Sequence, residues 1–318
     1  MINKILIISG PTATGKTDLA SKLAKKYNGE LISTDSCQIY KGLDIGTGKD
    51  QPSETPIYLI DLINPDQKFS VAQFQKAGLE IINKLHSQNK LPILVGCSGF
   101  YLDSLINPKY NTFSIKPNKI WRIISKKLSV KTLQKIYKLL DPQNFSKLNN
   151  SDINNHYRLT RKIEIKLSKK SPSLSREGSG VGFDILHISL TAPLNLLYDR
   201  IDQRVQKRMD MGFLDEIKKI LKKYSWSDPG LQIGAYQCLK PYFENKKNPP
   251  FFKGSCPQDG GVLSNCLQKW KYAEHSDARR QGTYLKSRYK DKAQFFDITS
   301  SNFKNKIFKI VSKWYNKL

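Results

Sequence analysis

The chain has 318 residues and a formal net charge of +26, with 53 Lys and Arg against 27 Asp and Glu. This length is sufficient for a substantial core in one or two domains. Its apolar runs are too short for a transmembrane helix, and the N-terminal run is too short for a signal peptide, so we expect a soluble cytoplasmic protein without a membrane partner. Five cysteines without a C-x-x-C pair argue against a disulfide framework or a zinc site.

The first predicted elements are a strand, a phosphate-binding loop and a helix. Ile5 to Ile8 form a short apolar run, and the next segment reads G-P-T-A-T-G-K-T. In such a loop the backbone N–H groups surround phosphate oxygens, the lysine adds a charge and the last hydroxyl can hold Mg²⁺. The predicted phosphate-binding residues are Gly10, Pro11, Thr12, Ala13, Thr14, Gly15, Lys16 and Thr17. Thr17 is also the predicted metal ligand.

Short apolar runs then alternate with helical patterns. The predicted strands are Leu31 to Ser33, Ile57 to Leu62, Pro92 to Val95 and Ile185 to Leu190, and the clearest helix runs from Val71 to Leu85. This alternation predicts an α/β fold, a P-loop NTPase-like parallel sheet flanked by helices.

A basic helical segment interrupts this pattern. Residues 116–170 carry 15 basic and 3 acidic side chains, whereas residues 1–110 carry 12 and 10. Residues 286–318 carry a further 9 basic and 2 acidic side chains. Charge concentrated in a middle segment and a tail favours a nucleic-acid partner over an evenly biased composition, although a solvated surface is the alternative. We therefore predict a core of residues 1–112 and 183–318 with C-terminal helices, a helical RNA-binding insertion at 113–170, and a flexible linker at 171–182. Residues 248–261 form a second predicted surface loop.

Asp35 follows the second predicted strand. Ligands of open parallel sheets gather beyond the carboxyl ends of the strands, so Asp35 should lie near the phosphate loop. It could act as a general base or an outer partner of Mg²⁺, and a turn or cap aspartate is the alternative. A phosphoryl-transfer enzyme would place a metal-binding acid after Val95, where this chain has Gly96, Cys97 and Ser98. Asp61 is a second candidate for that acid.

Arg200, Arg204 and Arg208 are spaced to share one face of a helix. Guanidinium groups in a stripe suit phosphate, which each can grip through two parallel hydrogen bonds. A solvated face paired with Asp199 and Asp202 is the alternative that this segment alone favours.

Seven segments, in order along nearly the whole chain, resemble the tRNA dimethylallyltransferase family. They are the phosphate loop G-P-T-A-T-G-K-T, D-S-C-Q-I-Y-K-G-L-D-I-G-T-G-K (35–49), F-S-V-A-Q-F (69–74), P-I-L-V-G-C-S-G-F-Y (92–101), R-L-T-R-K-I-E (158–164), R-I-D-Q-R (200–204) and A-R-R-Q-G-T-Y (278–284). The block from 35 to 49 is the most specific of them.

The resemblance implies transfer of a dimethylallyl group from dimethylallyl diphosphate to N6 of the adenosine 3′-adjacent to the anticodon of tRNA, with Mg²⁺ and the phosphate loop holding the diphosphate. It implies that Asp35 is the general base, that Ser98 acts near the reacting groups, and that Arg204 grips the diphosphate. It also implies that the anticodon stem-loop contacts Asp35, Ser36, Cys37, Gln38, Ser98, Tyr157, Arg158, Arg161, Arg279, Arg280 and Gln281. We expect the protein to be a monomer.

The chain departs from the family pattern at a few positions. Cys97 and Ser98 stand where the family usually has Gly and Thr, Asn155 where Asp is common, and Ala235 where Tyr is common. Two other functions remain open. One is a P-loop kinase of a nucleoside or small molecule, which needs ATP and has no use for the basic insertion. The other is an RNA-binding NTPase-like module that uses the loop as a switch.

Overall fold

The computed structural model describes residues 3–49, 55–107, 115, 117–168, 182–244 and 261–317. The chain divides into a first unit, Met1–Leu105 with Gly182–Leu318, and a second unit, Ile106–Val181. Residues 171–181 of the predicted linker and residues 248–260 of the second predicted loop lie outside the described residues.

The described part of the first unit contains one sheet of six parallel strands, which confirms the predicted α/β class. The strands are β1 (Lys4–Ser9), β2 (Gly29–Ser33), β3 (Ile57–Tyr58), β4 (Leu91–Gly96), β5 (Asp184–Thr191) and β6 (Gln294–Asp297). Their order across the sheet is β3-β2-β4-β1-β5-β6. Because β1 lies between β4 and β5, the phosphate loop that follows β1 begins near the middle of the sheet.

Helices cover this sheet because the central strands are apolar on both faces. In β1 the side chains from Ile5 to Ile8 are at most 1% exposed, as expected for a parallel strand covered on both sides. Leu19 and Leu23 pack into the same core as Ile307 and Val311 near the C-terminus. The helices of this unit are α1 (Lys16–Lys26), α2 (Val71–Ser87), α3 (Gly99–Ile106), α9 (Leu194–Asp210), α10 (Phe213–Leu221), α11 (Gly234–Glu244), α12 (Val262–Tyr289) and α13 (Phe303–Tyr315).

The predicted strand from Ile57 to Leu62 is wrong beyond Tyr58. Leu59 and Asp61 have φ values of 64° and 54°, in the left-handed region that strands exclude. The chain turns there so that the Asp61 carboxylate meets Lys49 Nζ at 2.5 Å. A tertiary ion pair has overridden the β propensity of this apolar run.

The second unit has its own small core. It contains α4 (Lys119–Lys126), α5 (Val130–Leu140), α6 (Pro142–Phe145), α7 (Asn150–Ile153) and α8 (His156–Leu167). Leu133 and Tyr137 of α5 pack against Leu159 and Ile163 of α8. Asn155 caps α8 by accepting a hydrogen bond from Arg158 N at 3.0 Å, which an aspartate at this position could also accept.

Glu164 is a buried carboxylate at the centre of the second unit. It accepts hydrogen bonds from Arg122 Nε at 3.0 Å, from an Arg161 amino group at 2.5 Å and from Asn118 N at 2.6 Å. Burial raises the pKa of Glu164, but these hydrogen bonds outweigh burial and leave the pKa below its ordinary value. Arg122 and Arg161 therefore help to stabilise the fold of the second unit.

No helix in the described ranges is long and apolar enough to span a bilayer.

Candidate active site

The phosphate loop between β1 and α1 has the geometry of a backbone cradle. Gly15, which caps α1, has a φ of 77°, in the region that favours glycine. A Cβ at Gly10 would lie 2.9 Å from Thr14 Oγ1 and 3.0 Å from the Leu190 carbonyl, so only glycine fits there. Thr14 Oγ1 donates to the Pro11 carbonyl at 2.8 Å and closes the turn. The N–H groups at the start of α1 are thus available for an anion.

Side chains from two helices that lie far along the chain contact Thr12 and Ala13 of this loop. From α9, an Arg204 amino group donates to Thr12 Oγ1 at 2.9 Å, and an Arg200 amino group donates to the Ala13 carbonyl at 3.3 Å. From α12, Gln281 Oε1 accepts a hydrogen bond from Thr12 N at 2.9 Å. The resemblance implies an RNA contact for Gln281, which stays a prediction, and in the structure its Oε1 also supports the phosphate loop.

A cavity of about 920 Å³ adjoins the loop. Residues that follow β1, β2 and β4 contribute to its wall, which is the ligand position expected for a parallel sheet. The predicted site residues that line it are Thr12, Ala13, Gly15, Lys16, Thr17, Asp35, Ser36, Cys37, Gln38, Ser98, Arg204 and Gln281. Of the predicted phosphate-binding residues, Gly10, Pro11 and Thr14 shape the loop without lining the cavity.

Asp35, Ser36 and Ser98 form one polar cluster on the cavity wall. Asp35 Oδ1 accepts a hydrogen bond from Cys37 N at 2.8 Å, which fixes the carboxylate in a turn. Ser98 Oγ accepts from Ser36 N at 3.1 Å and lies 3.3 Å from Ser36 Oγ. Asp35 therefore stabilises a turn and also lines the cavity. A structural role in the turn is compatible with a role in binding or catalysis.

The three arginines of α9 all line the cavity, Arg208 is buried and Arg204 half-buried, and only Arg200 is exposed to solvent. Arg208 donates to the Gly46 carbonyl at 3.3 Å and lies 3.5 Å from a Glu274 oxygen. Asp202, a predicted partner of the stripe, instead lies 2.8 Å from His275 Nε2. The three arginines therefore form one positively charged wall of the cavity, which we call the arginine wall.

Glycine at position 48 makes this arginine wall possible. A Cβ there would overlap the terminal nitrogens of both Arg204 and Arg208. Gly48 also has a φ of 62°, and its carbonyl accepts a hydrogen bond from Gln38 Nε2 at 3.1 Å. Sequence reasoning found the block from 35 to 49 but missed the function of Gly48, because only the fold brings α9 to this loop.

The cavity also contains two thiols, neither of them suited to act as a thiolate. Burial raises the pKa of Cys97 to about 11; the nearby Lys16 ammonium lowers it and the Asp35 carboxylate raises it, but burial is the largest cause. Burial and Asp35 likewise raise the pKa of Cys37 well above its ordinary value. Both side chains are protonated near neutral pH, so Cys97 contributes shape, not nucleophilic character.

The remaining predicted RNA contacts do not line the cavity. Arg279 and Arg280 are exposed on α12, and Arg280 pairs with Asp277. In the second unit, Tyr157 is 67% exposed, and an Arg158 amino group lies 2.7 Å from Asp152 Oδ1. Their contact with RNA stays a prediction.

The cavity wall fits a magnesium ion held mainly by substrate. The Thr17 hydroxyl and the Asp35 carboxylate both line it, and Mg²⁺ commonly uses one or two protein oxygens together with substrate phosphates and water. Among the described residues there is no cluster of three His, Cys, Asp or Glu side chains that could hold a metal alone. Thr17 and Asp35 are therefore the described side chains that would hold such an ion.

A parallel sheet, a phosphate loop after its central strand and a cavity lined by arginines define a P-loop α/β protein that binds a phosphate-bearing ligand. Residues 38–288 match the family model described as IPP transferase. A tRNA dimethylallyltransferase of Leuconostoc citreum is 34% identical over 289 residues, which cover 90% of this chain and 91% of that protein. The chain therefore belongs to the IPP transferase family, and the resemblance seen in its sequence is confirmed.

Solved structures of similar proteins share the fold. The tRNA isopentenylpyrophosphate transferase of Bacillus halodurans is 30% identical, with a TM-score of 0.68 over 98% of this chain and 97% of that chain. A eukaryotic dimethylallyltransferase acting on tRNA shares the fold, with a TM-score of 0.78, 23% identity and coverage of 97% and 77%.

Proposed function

We propose that this protein transfers a dimethylallyl group from dimethylallyl diphosphate to N6 of the adenosine 3′-adjacent to the anticodon in tRNA, and releases diphosphate. The observation that carries the proposal is the single cavity that joins the phosphate loop and the arginines of α9 to the cluster of Asp35, Ser36 and Ser98. The diphosphate leaving group and the attacking amine would therefore lie next to each other in the same cavity.

The donor diphosphate would lie against the phosphate loop. Its negative charge grows as the allylic carbon–oxygen bond breaks, and groups placed in advance around it lower the barrier for that step. Lys16, Arg200 and Arg204 line the cavity beside the loop and supply this charge. When bound, Mg²⁺ would supply further charge neutralisation at the diphosphate oxygens, with the Thr17 hydroxyl as its protein ligand.

Asp35 would accept the proton that N6 loses. The exocyclic amine of adenine is a weak nucleophile, and a positioned base assists as the new carbon–nitrogen bond forms. The hydrogen bond from Cys37 N uses Oδ1 of Asp35 and orients the carboxyl group. Ser98, linked to Ser36 by hydrogen bonds, would position the adenine edge beside Asp35.

The second unit would supply contacts to the anticodon stem-loop. Residues 116–170 carry a net charge of +12, and neutralisation of RNA phosphates drives binding through counterion release. To reach a cavity of this kind, the target base must leave the base stack of the loop, as it does in other enzymes that act on bases.

The direct test is incubation of the protein with unmodified tRNA, labelled dimethylallyl diphosphate and Mg²⁺. The proposal predicts label in RNA and, after digestion, label on N6 of a single adenosine. Absence of label together with ATP turnover would instead support the P-loop kinase. Binding of tRNA with neither activity would support the RNA-binding module. Omission of Mg²⁺ tests the metal in the same assay, and retained transfer after chelation would contradict its role.

A further inference from the structure

We propose that Asp103 and Tyr284 are positioning residues that set the Ser98 hydroxyl for the transfer reaction. The inference rests on the proposed function. Neither residue lines the cavity, so neither is expected to touch the donor or the base. Their effect would pass through the turn at the start of α3.

Asp103 is a buried carboxylate that ties α3 to α12. It is 1% exposed and accepts hydrogen bonds from three residues of α12. Tyr284 Oη and Arg288 Nε donate to Oδ2, each at 2.9 Å, and Tyr289 Oη donates to Oδ1 at 2.7 Å. A buried charge is tolerated only with such partners. The three hydrogen bonds therefore fix how α3 lies along α12.

Tyr284 extends this contact to the residue after Ser98. Its ring occupies the space that a side chain at Gly99 would need, because a Cβ there would overlap Tyr284 Cε1. Gly99 and Asp103 lie four residues apart on one face of α3, and Tyr284 and Arg288 lie four apart on α12. The phenol thus lies along α3, with its hydroxyl at Asp103 and its ring against the turn that holds Ser98.

The same helix also holds the phosphate loop. Gln281 lies three residues before Tyr284 on α12, and its Oε1 accepts the hydrogen bond from Thr12 N. α12 therefore contacts the loop through Gln281 and the Ser98 turn through Tyr284. A shift of α3 along α12 would change the separation between the diphosphate and the polar cluster, and misplacement of about 1 Å can cost about 10²-fold in rate.

Tyr284→Phe is the sharpest perturbation of this arrangement. It retains the ring against Gly99 but removes the hydroxyl that Asp103 holds. We expect the single-turnover rate of transfer to fall about tenfold, while the KM for dimethylallyl diphosphate and the Kd for tRNA stay within about twofold. Asp103→Asn, which keeps the shape and removes the charge, should act in the same direction.

Tyr27→Phe is the matched control. The Tyr27 hydroxyl also donates a hydrogen bond, to the backbone carbonyl of Phe308 at 3.4 Å, and Tyr27 does not line the cavity. This variant loses a phenolic hydrogen bond far from Ser98 in the fold, so its transfer rate should equal that of the wild type. Urea unfolding of both variants measures any difference in stability.

A double-mutant cycle with Ser98→Ala separates positioning from a general structural effect. If Tyr284 acts through Ser98, Tyr284→Phe should slow the Ser98→Ala enzyme by less than about twofold. The inference would be overturned if the rate loss in the double variant equalled the product of the losses in the two single variants. An unchanged transfer rate in Tyr284→Phe, or an equal rate loss in Tyr27→Phe, would also overturn it. Failure of the wild type to label tRNA would instead refute the proposed function, so the two failures are distinguishable.

Discussion

The carboxylate of Glu216 holds the loop that carries Gly46 and Gly48 against the arginine wall. Its oxygens accept hydrogen bonds from the backbone N–H groups of Asp44 at 2.9 Å, Ile45 at 2.7 Å and Gly46 at 3.1 Å. Tyr236 Oη also donates to Glu216, at 2.6 Å. Burial and the adjacent carboxylate raise the pKa of Tyr236 far above its ordinary value, so the phenol remains a donor. The account predicts that Glu216→Ala loosens the diphosphate end of the cavity.

The size of the expected loss in the free energy of unfolding depends on which hydrogen-bond donors would lose their acceptor in Glu216→Ala. Gly46 and Tyr236 are buried, whereas the N–H groups of the more exposed Asp44 and Ile45 can turn to water. Each buried donor left without a partner costs about 1–3 kcal/mol, which gives a loss of about 2–6 kcal/mol in the free energy of unfolding. Because Arg208 donates to the Gly46 carbonyl, the KM for dimethylallyl diphosphate should also rise, by about tenfold or more.

Urea unfolding and steady-state kinetics measure both effects. Glu80→Ala is the matched control, since its carboxylate makes only an exposed pair with Lys76 at 4.0 Å and such pairs contribute at most about 0.5 kcal/mol. The reasoning would be refuted if Glu216→Ala unfolded at the same urea concentration as Glu80→Ala and kept the KM of the wild type.

Three further outcomes are expected. Gly48→Ala should raise the KM for dimethylallyl diphosphate by at least about tenfold. Gly42→Ala is the control, since Gly42 has a φ of 74° but nothing within 4 Å of its Cβ, and it should leave the KM unchanged. If both variants raised the KM equally in kinetic assays, backbone strain and not contact with the arginines would be the cause. Alkylation of Cys97 by iodoacetamide, followed by mass spectrometry, should be about 100-fold slower at pH 8 than for a thiol of pKa near 9. Its rate should rise with pH up to about 11 as the thiolate forms, and a plateau near pH 9 would contradict the raised pKa. Affinity for tRNA should fall with salt at a log–log slope of about −3 to −5, as four to six phosphate contacts require, and a flat response would argue against binding by the basic unit.

The elements that local sequence determines were predicted well. β1, α1 and the phosphate loop between them follow from one apolar run, one glycine pattern and one helical spacing. β4 and β5 follow from equally short runs bounded by turn residues. Each of these signals lies within a few residues of the element that it predicts.

Contacts between distant segments were not predictable in this way. Gln281 lies 269 residues from Thr12 along the chain, and nothing near either residue indicates that they meet. The resemblance implies that Arg161 contacts RNA, and that contact stays a prediction, but the hydrogen bond from its guanidinium to Glu164 could not be predicted from the charge of the segment. Charge counts do not distinguish an arginine that supports its own fold from one that faces a partner.

The central claim is that one carboxylate in this cavity removes the proton of the attacking amine. Single-turnover transfer by Asp35→Asn, measured together with the Kd for tRNA, tests it most directly. The account predicts a rate lower by about 10²–10⁴-fold, the usual contribution of a positioned base, with tRNA affinity within about threefold of the wild type. A rate within about twofold of the wild type, or a Kd that weakens in parallel with the rate, would contradict it.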